Sequence, residues 1–230
     1  MSIQGEAFRK FVGKPVKDIY GRYIGYIVGL TLDFSGRLYS IGVDRGGRFE
    51  EFSQPQISIK DDMIIVTPRW KIEAERFRKE YQLTYSRFKA LDELLKNNEI
   101  PDYVYEELCR EYKESMTKLE DGQKELSLGL SERMEELDRN IRNLEKFLGY
   151  LKVQHRTGEL SEEAYKIASE YILAEIEKSL REKEDLKRCL ESLEPMEEET
   201  VKPEAAHLPE AQEEKESEER RPFVVRLQPE

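Results

Sequence analysis

Hydrophobic and polar positions alternate in short runs over about residues 8–70. Runs rich in Val, Ile, Tyr and Phe are separated by turn signals that contain Asp and Gly, and residues 23–32 and 38–43 contain the period-two alternation of strands. Residues 63–66 form one fully apolar run. Five or six short strands at this spacing predict a small β-barrel, which would also remove exposed sheet edges.

From Trp70 to Glu194 the apolar spacing changes to that of a helix. A first seam steps by four and three residues through Phe77, Tyr81, Thr84, Phe88, Leu91 and Leu95. A second seam steps in the same way through Leu130, Met134, Leu137, Ile141, Leu144, Leu148 and Leu151. Because charged residues fill the positions between the seams, the pattern predicts long helices that pair as a coiled coil.

Two breaks interrupt the helical pattern, near residues 97–101 and 156–161. Each combines turn-forming residues with a helix start signal, Asp102 after the first break and Ser161 after the second. The flanks match at an offset of 60 residues, with the same residue type at Leu91 and Leu151, Glu99 and Glu159, and Tyr105 and Tyr165. We interpret this match as a duplicated helix–turn–helix unit, in which two outer helices fold back on the two halves of a long central helix.

The last of the three predicted helices carries a seam that such a hairpin leaves without a partner, formed by Ile172, Ile176, Leu186, Leu190 and Leu193. An apolar stripe on a helix must be buried against another element. The simplest such element is a second copy of the chain, so the seam predicts homo-oligomerisation. In the central helix, Gly122 and Gly129 are expected to permit a bend.

The chain changes character again after residue 194. Between Pro195 and Glu219 there are ten acidic and two basic residues, so residues 195–221 are predicted to be a disordered acidic linker. Residues 222–230 then bring apolar side chains back, in a short period-two pattern bracketed by prolines. They are either a chance apolar end or a tethered strand that adds to a partner's sheet edge. The second interpretation places recognition on Pro222, Phe223, Val224, Val225, Arg226 and Leu227.

The net charge of −11 is unevenly distributed. Seven basic residues lie where the strand pattern gives way to the helical one: Arg69, Lys71, Arg76, Arg78, Lys79, Arg87 and Lys89. They form either a surface that contacts phosphates, of DNA or of lipid headgroups, or a solvated helix face. The aromatic residues between them have heptad spacing, which is more typical of a helical core than of base stacking.

Composition and motifs argue against an enzyme. Charged and hydrophobic residues each make up 38% of the chain, which indicates solvated helices plus a disordered stretch rather than one large core. The histidines (His155, His207) and the cysteines (Cys109, Cys189) lack catalytic or metal-ligand spacing. We therefore expect no catalytic residue, no metal and no cofactor. Neither a signal peptide nor a membrane-length apolar run is seen, which favours the cytoplasm.

The strand-rich part resembles a PRC-barrel. Residues 11–28, Phe-Val-Gly-Lys-Pro-Val-Lys-Asp-Ile-Tyr-Gly-Arg-Tyr-Ile-Gly-Tyr-Ile-Val, are similar to the opening of that domain, and the match continues through residues 33–38 and 41–43. Because PRC-barrels are docking modules without catalysis, the resemblance implies binding.

Together the patterns predict an α+β chain in four parts. These are a PRC-barrel-like β domain (1–69), a helical coiled-coil domain (70–194), the acidic linker (195–221) and a partner-binding peptide (222–230). This arrangement resembles the archaeal cell-division family CdvA over nearly the whole chain. The resemblance implies that residues 222–227 complete a sheet in the winged-helix-like end of CdvB, an ESCRT-III-related protein.

The same resemblance implies a polymer-forming scaffold that is associated with DNA and that places ESCRT-III at the membrane of the division site. None of these properties follows from composition or spacing. An alternative function for a chain of this pattern is a nucleic-acid-organising or ribosome-maturation module, in which the coiled coil is a spacer. The long acidic linker with a strand-like end favours a protein that recruits a partner over this alternative.

Overall fold

The computed structural model describes residues 6–193. The predicted acidic linker and the predicted terminal peptide therefore lie outside the described residues. Within the described part, a strand-rich β domain is followed by three long helices, so the predicted α+β class is confirmed.

The β domain begins with a one-turn helix, α1 (Glu6–Arg9), and contains six strands. The strands are β1 (Pro15–Asp18), β2 (Tyr23–Leu32), β3 (Leu38–Asp44), β4 (Phe49–Ser53), β5 (Ile57–Lys60) and β6 (Met63–Val66). They form one sheet in the order β4-β3-β2-β1-β6-β5, in which only the β1–β6 pair is parallel. The sheet encloses an apolar core centred on Phe8, Phe11, Val16, Ile41 and Ile64, each of which is fully buried.

The predicted small β domain of five or six strands is confirmed, and one detail of its sheet differs from the expectation. A barrel without edges was expected, but β4 and β5 are the terminal strands of the sheet, and no ladder joins them within residues 6–193. The connection between them is a 3-10 turn at Gln54–Gln56. Pro55 lies in this turn and lacks an N–H group for a ladder, and the Gln56 side chain accepts a hydrogen bond from the Ser53 N–H at 3.2 Å.

The helices are α2 (Arg69–Lys96), α3 (Asp102–Arg156) and α4 (Glu162–Leu193). The turns between them have the same backbone pattern at an offset of 60 residues. Asn98 and Gly158 have positive φ angles of 54° and 77°, the Glu99 N–H donates to the Leu94 carbonyl, and the Glu159 N–H donates to the Gln154 carbonyl. This equivalence supports the interpretation of a duplicated unit.

The two predicted helix starts differ in chemistry. The Ser161 hydroxyl accepts a hydrogen bond from the Ala164 N–H at 3.3 Å, as a helix cap does. Asp102 is instead the first helical residue of α3, and Pro101 occupies the cap position without a side-chain hydrogen bond. Proline is well suited to the start of a helix because its φ angle is already helical.

The start of α2, the middle of α3 and the end of α4 meet in one helical core. Its buried members are Ala74, Phe77, Tyr81, Leu130, Leu137, Leu186, Cys189 and Leu193. Two residues of the α4 seam, Leu186 and Leu193, are thus buried inside the chain, where a second copy was expected to cover them. These two side chains therefore need no second copy, because three helices rather than two share this part of the core, and homo-oligomerisation stays a prediction.

Candidate functional site at the barrel–helix junction

The turn between β1 and β2 presents two side chains to α4. The Asp18 Oδ1 atom accepts hydrogen bonds from the backbone N–H groups of Tyr20, at 2.9 Å, and Arg22, at 2.8 Å. Gly21, between them, has a φ of 86°, which an L residue rarely adopts. These hydrogen bonds fix the conformation of the turn, and the turn positions Tyr20 and Arg22 to contact the helices.

Arg22 and Arg133 share one buried carboxylate, that of Glu182 on α4. The Arg133 Nε and Nη2 atoms donate to the two Glu182 oxygens at 2.9 and 3.1 Å, and the Arg22 Nη1 atom donates to Glu182 from the other side. Arg22 also donates to Glu175 at 2.9 Å and to the Ser179 hydroxyl at 3.3 Å. Only 2% of the Glu182 side chain is exposed. We call Arg22, Arg133, Glu175 and Glu182 the junction network.

The electrostatics of this network favour the charged forms. Burial alone would raise the pKa of Glu182, but hydrogen bonds from Arg133 and Arg22 outweigh burial, so its pKa is lowered. Burial would lower the pKa of Arg22, and Glu182 reverses that effect and raises it. Asp18 differs, because burial dominates over its hydrogen bonds and raises its pKa.

A second contact joins the β domain to the helices. The Tyr20 hydroxyl donates to the Asp185 Oδ2 atom at 3.1 Å, and the Lys71 Nζ atom donates to the same oxygen at 2.7 Å. Burial and the nearby Asp185 carboxylate raise the pKa of Tyr20. An open groove of about 920 Å³ lies alongside, between β1, α2 and α4. Its walls carry charges of both signs, including Glu184 and Arg188.

The junction is suited to holding two parts together rather than to chemistry. Each carboxylate of the network already accepts hydrogen bonds from a basic side chain, so none is left as a general base. The described residues contain no group of His, Cys, Asp and Glu that could hold a metal ion. They also contain no helix that is long and apolar enough to cross a membrane.

The seven predicted basic residues do not form one surface. At 100° per residue, Arg69, Arg76 and Arg87 lie along one side of the buried face of α2, and Lys71, Arg78 and Lys89 lie along the other. On the first side, Arg69 and Arg76 pair with acidic residues of α2 itself, at 2.6 and 3.6 Å. Lys79 lies on the exposed back of the helix.

The second side of α2 faces α4. Lys71 binds Asp185 as described, and the Arg78 Nη2 atom donates to the Ser192 hydroxyl at 3.0 Å. The Lys89 ammonium lies 4.3 Å from the centre of the Tyr85 ring. Two of the seven predicted residues, Lys71 and Arg78, therefore also hold helices together.

Sequence analysis missed the junction network, although one signal was present. Ser179, Glu182, Leu186, Cys189 and Leu193 step by three and four residues and are all buried. A glutamate inside such a seam requires a buried cationic partner. The sequence does not say which arginine that partner is, since Arg22 and Arg133 lie far from Glu182 along the chain. The predicted terminal site, residues 222–227, lies outside the described residues.

Comparison with known proteins agrees with this architecture. A family model for a CdvA-like coiled-coil domain matches residues 69–217, and a model for a PRC-barrel domain matches residues 4–72. A protein from Sulfolobus acidocaldarius, named Cell division protein A, is 27% identical over 201 residues. That alignment covers 87% of this chain and 84% of the relative.

Proposed function

The chain belongs to the CdvA-like coiled-coil family, and on that premise we propose that it acts in cell division as a non-enzymatic, self-associating scaffold at the division site. The observation that carries the proposal is the similarity to Cell division protein A over 87% of the chain. The order of a docking-type β domain and a long helical body supports the same function.

The junction supports a scaffold because it joins two separate cores. The core of the β domain and the helical core share no residue, and charged side chains connect them. Buried ion pairs of this kind are attested as devices that specify one arrangement rather than as large sources of stability. A fixed orientation of the β domain on a long helical body serves a protein that positions other molecules.

Recruitment is the second part of the proposal. Residues 222–227 are a strand-forming ligand for an ESCRT-III-like protein of the CdvB type, and backbone hydrogen bonds to an open sheet edge supply the affinity. The alternation along the peptide assigns Phe223, Val225 and Leu227 to pockets on one side of the added strand. The acidic linker connects this ligand to the helical body.

The test is calorimetric titration of a peptide covering residues 219–230 against the C-terminal domain of an ESCRT-III-like protein from the same cell. We expect micromolar binding that disappears when Phe223→Asp and Val225→Asp are introduced together, because the pockets would have to bury two charges. The Gln228→Asp peptide is the control, since it adds an acidic residue outside the recognition stretch. Absence of binding by both the peptide and the full chain would remove the recruitment proposal.

Contact with phosphates of DNA or of a membrane surface is a third part. The residues that support it best are Arg69, Lys79 and Arg87, which are exposed on α2. Lys71, Arg76, Arg78 and Lys89 stay in the proposed set, although Lys71 and Arg78 also hold α2 to α4.

A further inference from the structure

The distal half of the α3–α4 hairpin exposes large apolar side chains. The ends of the two helices are held together by His155 and Tyr165, whose rings stack 4.3 Å apart. On the outer side of α3, Tyr150 is 53% exposed and Val153 is 60% exposed. On the outer side of α4, Ile167 is 63% exposed and Tyr171 is 77% exposed. Helices of a monomer normally keep such side chains on the buried face.

Tyr150, Val153 and Ile167 belong to regular stripes. On α3, Arg142, Lys146, Tyr150 and Val153 step by four and three residues, and all four are exposed. On α4, Glu163, Ile167, Glu170 and Ala174 have the same spacing and are also exposed. Each helix thus carries a second heptad stripe that faces away from its partner in the hairpin. We call these the α3 stripe and the α4 stripe.

The two helices carry opposite charge in this half of the hairpin. Residues 139–156 of α3 contain five Lys or Arg residues and one glutamate, a net charge of +4. Residues 162–177 of α4 contain five glutamates and one lysine, a net charge of −4. The α3 stripe of one hairpin and the α4 stripe of another are complementary in charge, and both carry apolar side chains. Because the two stripes lie on opposite sides of the hairpin, such contacts join successive copies side by side rather than pairing two copies reciprocally.

We propose that the α3 stripe of one copy packs against the α4 stripe of the next copy, so that distal hairpins associate side by side. This inference rests on the proposed self-association and names its interface. Tyr150 and Val153 of one copy and Ile167 of the other lose water on contact, and Arg142 and Lys146 of the first copy face Glu163 and Glu170 of the second. The occupant is a second copy of this chain because its own stripes supply both halves of the complementarity.

A charge-swap experiment with the full chain tests this contact. Variant A carries Arg142→Glu and Lys146→Glu, and variant B carries Glu163→Lys and Glu170→Lys. All four side chains are exposed, so both variants are expected to fold, which circular dichroism checks. We expect each variant alone to associate at least about tenfold more weakly than the unchanged chain in analytical ultracentrifugation, because like charges then meet in the interface.

Mixing the variants provides the decisive measurement. A one-to-one mixture of A and B restores association. The introduced glutamates of A face the introduced lysines of B at one kind of contact, and the natural glutamates of A face Arg142 and Lys146 of B at the other. A control variant with Arg110→Glu and Lys113→Glu carries the same charge change on the exposed first half of α3 and is expected to associate normally.

The outcomes separate this interface from self-association in general. If the unchanged chain associates and variants A and B associate equally well, the stripes are not the interface, although self-association stands. A monomeric unchanged chain at tens of micromolar overturns both proposals. Tyr150→Asp tests the same interface independently, because it places a charge among the apolar side chains of the α3 stripe and leaves the complementary charge pairs unchanged.

Discussion

Glu182 shows how one side chain determines the way in which the β domain and the helices meet. Its carboxylate is almost completely buried and accepts hydrogen bonds from arginines on two different elements, the β1–β2 turn and α3. Removing a charge from water costs several kcal/mol, and the paired guanidinium groups offset that cost only while the geometry holds. The ion pairs of Glu182 with the two arginines therefore contribute more to fixing the orientation of the β domain than to stability.

Truncation of this side chain should be costly. We predict that Glu182→Ala lowers the free energy of unfolding by about 3 kcal/mol, because two arginines lose their shared buried partner. Urea unfolding followed by the fluorescence of Trp70, the single tryptophan of the chain, measures the change. Glu184→Ala is the control, because its pair with Arg188 is on the surface and is worth less than about 1 kcal/mol. Equal effects of both substitutions would contradict the role given to Glu182.

The helices illustrate how local signals set the limits of an element. The break after α2 and the break after α3 each contain a residue with a left-handed backbone, Asn98 and Gly158, followed by a residue that starts the next helix. Gly122 and Gly129 were expected to permit a bend. The helix α3 is continuous through both residues, and a bend within it stays a prediction. A glycine inside a helix weakens it, but flanking turns of hydrogen bonds are enough to carry the helix through.

Two glycine substitutions should therefore act in opposite directions. Gly129→Ala is predicted to raise the free energy of unfolding by about 0.5–1 kcal/mol, because an added Cβ meets no atom within 4 Å and alanine restricts the unfolded chain. Gly158→Ala is predicted to lower it by about 1–2 kcal/mol, because its φ of 77° strains an L residue. Thermal unfolding followed by circular dichroism compares the two. Stabilisation by both substitutions would show that the turn at Gly158 is not constrained.

The molecule as a whole joins a small strand-rich domain and a long helical body through a polar junction. The helical body is extended, since α3 alone has 55 residues, about 80 Å at ~1.5 Å per residue. The β domain meets the middle of this body, where Arg22 and Arg133 share Glu182, and the distal hairpin with its two stripes lies along the second half of α3. Recruitment, phosphate contact and self-association are thus proposed at different places along the chain.

Phosphate contact can be tested without disturbing the helical core. We predict that Arg69→Glu, Lys79→Glu and Arg87→Glu together weaken co-sedimentation with DNA and with anionic liposomes by about tenfold or more, because each basic contact contributes to a salt-dependent attraction. The control is the triple variant Arg110→Glu, Lys113→Glu and Lys124→Glu on exposed positions of α3. Equal loss in both variants would indicate a general charge effect rather than a binding surface.

Much of the fold could be predicted because its signals are local. Period-two alternation predicted the strands, heptad spacing predicted the helices, and turn chemistry predicted the breaks near residues 97–101 and 156–161. The resemblance to CdvA also followed from the amino-acid sequence, and the match of the CdvA-like family model to residues 69–217 confirms it. Such signals depend on neighbours a few residues apart, which the sequence contains directly.

Other features depend on which distant residues meet, and only the tertiary structure decided them. Strands β4 and β5 are the two edges of the sheet, and Leu186 and Leu193 are buried because the end of α4 returns to the start of α2. Arg22 reaches Glu182 across 160 residues of chain. Heptad spacing indicates that an apolar seam must be buried. Which element buries it depends on packing among distant parts of the chain, where apolar side chains are buried and charges are paired at the same time.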